Sequence, residues 1–226
     1  MIVVHHLNNS RSQRILWLLE ELGLDYEIKR YQRDPETMLA PPELKRVHPL
    51  GKSPVITDGD TVVAESGAIV DYLTTRENNP QLSHLVPAAG TPARLRYTHF
   101  LHYAEGSMMS PLLLKLVFDK VESSPMPFFV KPIARGIARK VKGTFVLPQI
   151  ALHLGYLESE LAQRPWFTGE EFTAADIQLS FPLEAAASRG GLDAKYPKLV
   201  DFLARIHARP AYRRALERGG EYAYAK

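Results

Sequence analysis

Apolar residues return along the chain in two rhythms. In the first 80 residues, short β-branched or alternating runs trade places with helical ones. Residues 2–6 form a β-branched run and residues 25–31 alternate polar with apolar positions, as strands do. Between them Ile15, Leu16, Leu18, Leu19 and Leu22 recur at helical spacing, and Gly23 stands where a helix C-cap belongs. After a loop holding Pro35, Pro41 and Pro42, a short helix is predicted near residues 43–47. Strands at 54–57 and 61–64 follow, joined by Asp58-Gly59-Asp60, whose glycine accepts the positive φ of a tight turn. Ser66 then caps a helix with Ile69, Val70, Tyr72 and Leu73 on its apolar side.

The order βαβ followed by ββα predicts an α/β, thioredoxin-like N-terminal domain. Residues 78–92 are rich in Pro, Asn, Ser and Gly and lose the periodicity, so the predicted division is a domain at 1–80, a linker at 81–92 and an all-α helical domain at 93–226. Amphipathic runs at 93–121, 128–161, 173–188 and 197–208 supply its helices, with Pro111 predicted to kink the first.

Composition narrows the chemistry. A chain of 226 residues, 45% hydrophobic, can bury a sizeable core. It has no cysteine, which excludes disulfides, thiolate metal sites and cysteine nucleophiles, so any thiol chemistry must arrive with a ligand. No metal site is predicted. The N-terminus reads as a strand rather than a secretion signal, and no window approaches the roughly 18 uninterrupted apolar residues of a membrane span. A cytoplasmic location is expected, which leaves the Asn8-Asn9-Ser10 glycosylation pattern without consequence. Net charge is only +3, too small a surplus to point to nucleic acid. No acidic residue lies between Glu122 and Glu158, while Lys131, Arg135, Arg139, Lys140 and Lys142 fall opposite Val130, Ile133, Ile137 and Val141. Such a helix suits contact with an acidic partner or membrane surface, but a solvated basic face over a packed apolar one is the favoured reading.

Three places could carry chemistry. Ser10 opens the first helix, and Ser10-Arg11-Ser12-Gln13 fits a capping box, a structural role compatible with a hydroxyl that also donates to a bound thiolate. His48-Pro49-Leu50-Gly51-Lys52-Ser53-Pro54 precedes the third strand. Beside a plain turn, a cis Ser53-Pro54 bond would turn the Ser53 backbone out to pair with an extended peptide, with Lys52 facing its terminal carboxylate. Glu65-Ser66 enters a helix where backbone N–H groups meet anions, so Ser66 suits a ligand carboxylate and Glu65 an ammonium group, though an N-cap alone explains Ser66.

The runs SRSQRILWLLEELGLDYE, HPLGKSPVI, AESGAIVDYL and PWFTGEEFTAADI together resemble the cytosolic glutathione transferase family, over nearly the whole chain. The Ser-Arg pair with the YAEGSM and SSPMPF segments is most similar to a fungal and bacterial branch. The resemblance implies glutathione as co-substrate, a homodimer, and a thiol activated for attack on small hydrophobic electrophiles or organic hydroperoxides. It places the catalytic serine on Ser10, with Arg11 and Asn9 as alternatives; the cis-proline on Pro54; the pairing to the cysteinyl part on Ser53. The γ-glutamyl contacts fall on Glu65 and Ser66, and the glycyl carboxylate on Lys52 and His48. Thr173 and Asp176 match the family's helical capping box, a structural role, and Trp17 reads as core. An acceptor pocket is expected near Tyr103, Ser107, Met108 and Pro111, where Tyr103 and Met108 are equally readable as helix packing. The rival reading is a binding or regulatory module that keeps this architecture without catalysis.

Overall fold

The computed structural model describes residues 1–75 and 85–225. The expected boundary at residue 80 and the first residues of the 81–92 linker lie outside them. Strands β1 (Ile2–Leu7), β2 (Tyr26–Tyr31), β3 (Val55–Asp58) and β4 (Thr61–Ala64) form one sheet in the order β2-β1-β3-β4. β2 runs parallel to β1, β3 antiparallel to β1 with Val4 opposite Ile56, and β4 antiparallel to β3. Helices α1 (Ser12–Leu22), α2 (Leu44–Val47) and α3 (Ser66–Thr74) complete the thioredoxin-like unit. Gly23 ends α1 at φ 63°, the left-handed turn predicted for it.

Among the described residues seven α-helices follow: α4 (Pro92–Tyr103), α5 (Met109–Ser123), α6 (Lys131–Val141), α7 (Leu147–Gln163), α8 (Ala174–Ala185), α9 (Pro197–Ala208) and α10 (Pro210–Gly219). Around Pro111, the residue predicted to kink the first run, the regular α-helix is interrupted. A wide π turn at Ala104–Met108 joins α4 to α5 just upstream of it, which removes the clash a proline ring makes with the preceding helical turn. Lys142–Val146 does the same between α6 and α7, before Pro148.

Helix α8 is buried at every residue, and its first turn carries the predicted capping box: Asp176 accepts from the Thr173 N–H at 2.8 Å and the Phe167 N–H at 3.0 Å. Helix α1 lies between the sheet on one side and α8 and α10 on the other. This explains why Ile15–Leu19, Trp17 included, are apolar all round and fully buried. The sequence reading stopped at residue 208 and missed α10, which packs on α1 so closely that a Cβ at Gly219 would stand 2.7 Å from Gln13 Oε1.

The basic helix differs from its favoured reading. On α6, Ile133 and Ile137 are 65% and 56% exposed, and Phe128 just before it is 86% exposed, so its apolar stripe is not packed inward. Ala138 is the residue it buries, while Arg139 and Lys142 turn to Glu122 and Asp119 of α5. No helix among the described residues is long and apolar enough to cross a membrane.

Candidate active site

Three sequence-predicted segments meet at one end of the sheet. The end of β1 leads into the turn holding Asn9 and Ser10; β3, antiparallel to it, begins there after Ser53-Pro54; β4, pairing Ala64 with Val55, ends there at Glu65. Side chains tie them together. Ser53 Oγ donates to the His5 carbonyl of β1 at 2.9 Å, and Arg14 of α1 donates to Ser66 Oγ of α3 at 2.8 Å.

Ser10 does not form the expected capping box with Gln13. Helix α1 begins two residues later, and Ser10 Oγ accepts instead from the Ser12 N–H at 3.2 Å, a short side-chain turn. The Gln13 amide points toward α10, buried and without a hydrogen-bond partner among the described residues. Ser10 Oγ lies 2.8 Å from Ser12 Oγ, which in turn lies 2.8 Å from His6 Nδ1. Burial, and next the nearby Arg30, hold the His6 ring well below the usual histidine range, at a pKa of about 4, so it is neutral. Neither Ser12 nor His6 was singled out from sequence, because a serine inside a capping pattern and a histidine on an apolar strand carry no spacing signal.

Beneath Ser10 lies an ion cluster joining the two domains. Arg14, nearly all buried, donates to the Gln178 carbonyl of α8 at 2.6 Å, to Ser66, and to Glu105 in the π turn. Arg11 Nε donates to both Glu105 oxygens, at 2.8 and 3.0 Å. Burial pushes the Glu105 carboxyl up, but the two guanidinium groups outweigh it and hold the pKa below the ordinary carboxylate range. Arg11 is therefore committed to a carboxylate, which argues against it as the thiolate partner. Asn9, the other alternative, sits at φ 48° with Oδ1 accepting from the Ala223 N–H at 2.8 Å. The warning available in sequence was a lone arginine within the apolar run of α1; its acidic partner stands in the YAEGSM segment.

The Ser53-Pro54 peptide is cis, as the functional reading required. Ser53 makes no backbone hydrogen bond among the described residues, so its N–H and C=O are free to pair with a peptide ligand. Lys52 is exposed, whereas His48 Nδ1 accepts from the Leu50 N–H at 3.4 Å and serves its own turn. Glu65 is exposed at φ 71°, a left-handed conformation rare outside glycine, and it precedes α3 rather than Ser66 acting as the cap. Ser66 instead opens the helix with its hydroxyl on Arg14.

The acceptor residues fare differently. Tyr103 is buried among His99, Tyr156 and His153, with its hydroxyl 2.6 Å from His153 Nδ1, and Met108 is fully buried: both pack the helices. Pro111 is buried and Ser107 half-buried. What the fold brings to the Ser10 turn is the Phe181 ring of α8, the neighbouring Arg11, and the C-terminal segment. Tyr224 packs on Phe181 at 5.6 Å, Arg189 donates to the Tyr224 hydroxyl, and Tyr222 donates to the buried Glu184 carboxylate at 2.6 Å. These aromatic contacts cross from the domain core to a terminal tail, which no local periodicity announces. Among the described residues no three His, Asp or Glu side chains gather as metal ligands.

A thioredoxin fold carrying a helix start, a cis-proline and an acidic-Ser helix entry at one sheet end, backed by a helical domain, defines the class of two-domain proteins that hold a thiol peptide. Residues 1–75 match the N-terminal domain of glutathione S-transferases and residues 138–210 the C-terminal domain. "Glutathione S-transferase 3" of Schizosaccharomyces pombe is 38% identical over 220 residues, covering 96% of this chain and 88% of that protein. The crystal structure of a glutathione S-transferase from Actinobacillus pleuropneumoniae superposes with a TM-score of 0.82 at 37% identity, covering 100% and 96% of the two chains. A sphingomonad glutathione S-transferase complexed with glutathione gives 0.72 at 25% identity, covering 96% and 98%. The chain belongs to the glutathione S-transferase family; it is a glutathione transferase with glutathione as its co-substrate.

Proposed function

We propose that this cytoplasmic enzyme holds glutathione along the end of its sheet, with the sulfur at the start of α1, and directs the thiolate at small hydrophobic electrophiles or organic hydroperoxides. The observation that carries this reading is the pairing of Arg14 with Ser66, which draws the carboxylate-binding entry of α3 onto the helix that begins beside Ser10. Ser53 would pair with the cysteinyl backbone after Pro54, Ser66 and Glu65 would take the γ-glutamyl carboxylate and ammonium, and Lys52 the glycyl carboxylate. A free thiol with a pKa near 8.5 is only a few per cent ionised at neutral pH. One donated hydroxyl bond and the positive end of the helix dipole can together lower it by about two units.

The acceptor would lie against Phe181 and Tyr224 rather than against Tyr103 and Met108. The domains are assigned as 1–80 and 93–226 on either side of a linker at 81–92. A second copy of the chain is the proposed cover for the exposed Leu113, Val117 and Ile133. Sedimentation equilibrium is expected to give twice the chain mass; a single-chain mass would remove the dimer.

Ser10→Ala is expected to raise the pKa of the bound thiol by about one unit, read from thiolate ultraviolet absorbance, and to cut kcat/KM at neutral pH about tenfold. Turnover with a chloronitrobenzene and with an organic hydroperoxide separates the two acceptor classes. Retention on immobilised glutathione with neither turnover would favour the binding module instead.

A further inference from the structure

The three heavy atoms His6 Nδ1, Ser12 Oγ and Ser10 Oγ form a chain with two 2.8 Å links, and its residues are 5%, 0% and 4% exposed. Which way the protons in that chain run depends on the histidine tautomer and on where Ser12 sends its own proton. If the ring carries its proton on Nε2, Ser12 donates to Nδ1 and Ser10 donates to Ser12, so the Ser10 proton is spent inside the protein. If the ring carries it on Nδ1, the ring donates to Ser12 and Ser12 donates onward to Ser10. Ser10 Oγ then accepts twice, from Ser12 Oγ and from the Ser12 N–H, and its own proton is left to point outward.

The surroundings of His6 choose between them. His6 and Arg30 are opposite one another on the parallel strands β1 and β2, and both line the cavity of about 220 Å³ at the end of those strands. Glu221 also lines that cavity but is exposed, whereas Arg30 is the strand neighbour of the buried ring; a guanidinium is a cation with donors only, so its field draws the ring's lone pair to the Arg30 side and the proton to the Ser12 side. The alternative outlet for Ser12, the Leu7 carbonyl, is farther, at 3.4 Å.

We propose that His6, in its Nδ1–H tautomer and acting through Ser12, is a positioning residue that fixes the Ser10 hydroxyl as a pure donor to the bound thiolate. The assignment rests on Ser10 being the thiolate partner. The ring neither charges nor exchanges a proton with substrate; it sets the direction of a hydroxyl two links away.

Two measurements test it. In nitrogen-15 spectra of histidine-labelled protein, the resonance pair that disappears in His6→Asn is expected to show a protonated Nδ1 and an unprotonated Nε2; the reverse pattern overturns the proposal. In kinetics, His6→Leu and Ser12→Ala are each expected to raise the pKa of bound glutathione by about one unit and lower kcat about tenfold at neutral pH, with the KM for glutathione unchanged. His6→Asn, whose carboxamide N–H can replace Nδ1–H, is expected to restore most of the loss, which a variant failing through misfolding would not predict. On a Ser10→Ala background, His6→Leu is expected to add nothing. If it shifts the thiol equally there, its effect is general packing and the relay is overturned. If Ser10→Ala shifts the thiol while His6→Leu does not, the relay alone falls; if Ser10→Ala itself changes nothing, the Ser10 reading falls and takes the relay with it.

Discussion

Arg14→Met is expected to destabilise the protein by about 3–5 kcal/mol, because it removes one partner of a buried charge cluster and leaves the other in place. Methionine fills the volume of the side-chain stem but offers no donor to Gln178, Ser66 or Glu105. Glu105 then keeps only Arg11, in a site where burial already works against its charge. The cost should appear as a lowered denaturant midpoint with an unchanged slope. Adding Glu105→Leu is expected to recover part of it, since it removes the carboxylate left under-compensated, while Arg11, a third exposed, can turn to water. The same variant should raise the KM for glutathione, because Ser66 loses the group that holds its hydroxyl. A loss below about 1 kcal/mol, the range of exposed ion pairs, would show that the cluster is not the bond between the domains that its burial implies.

Asp176→Ala is the second large effect, expected to lower the melting temperature by about 10 °C. Its carboxylate accepts from two backbone N–H groups, Phe167 and Thr173, and from the Thr173 hydroxyl, all in a fully buried setting. Alanine leaves both N–H groups unpaired, at about 1–3 kcal/mol each, and 1 kcal/mol corresponds to about 2–4 °C in a chain of this size. Asp176→Asn, which keeps one carbonyl acceptor, should lose clearly less. Equal melting of the alanine variant and the parent would mean that α8 is held by its apolar burial alone.

The elements were legible wherever a local rule settled the matter. Hydrophobic spacing placed β1, α1, β2 and the β3–β4 hairpin within a residue or two, Gly23 marked a real helix end, and Thr173 with Asp176 marked a real helix start. The identical capping logic failed at Ser10 and Gln13, because Ser12, itself held by His6, offered Ser10 nearer partners and the packing of α10 drew Gln13 away. Helix α10 escaped notice because arginines interrupt its apolar pattern, and the carboxylate that Arg214 and Arg218 meet, Glu20, lies almost the whole chain away. The same separation hid the Arg14 cluster and the aromatic wall of Phe181 and Tyr224. Motif resemblance reached the loops proposed to hold glutathione, which are read along the chain, better than the proposed acceptor side, where tertiary contacts bring together a π turn, a buried helix and the C-terminal segment.

The left-handed backbone of Glu65 carries an evolutionary implication. At φ 71° a side chain is a burden that glycine would relieve, typically by about 1 kcal/mol or more. A lineage drifting toward glycine there would become sturdier while surrendering the negative charge at the mouth of α3. An acidic residue in so awkward a conformation gives up some firmness of folding for the charge it sets at that end of the sheet.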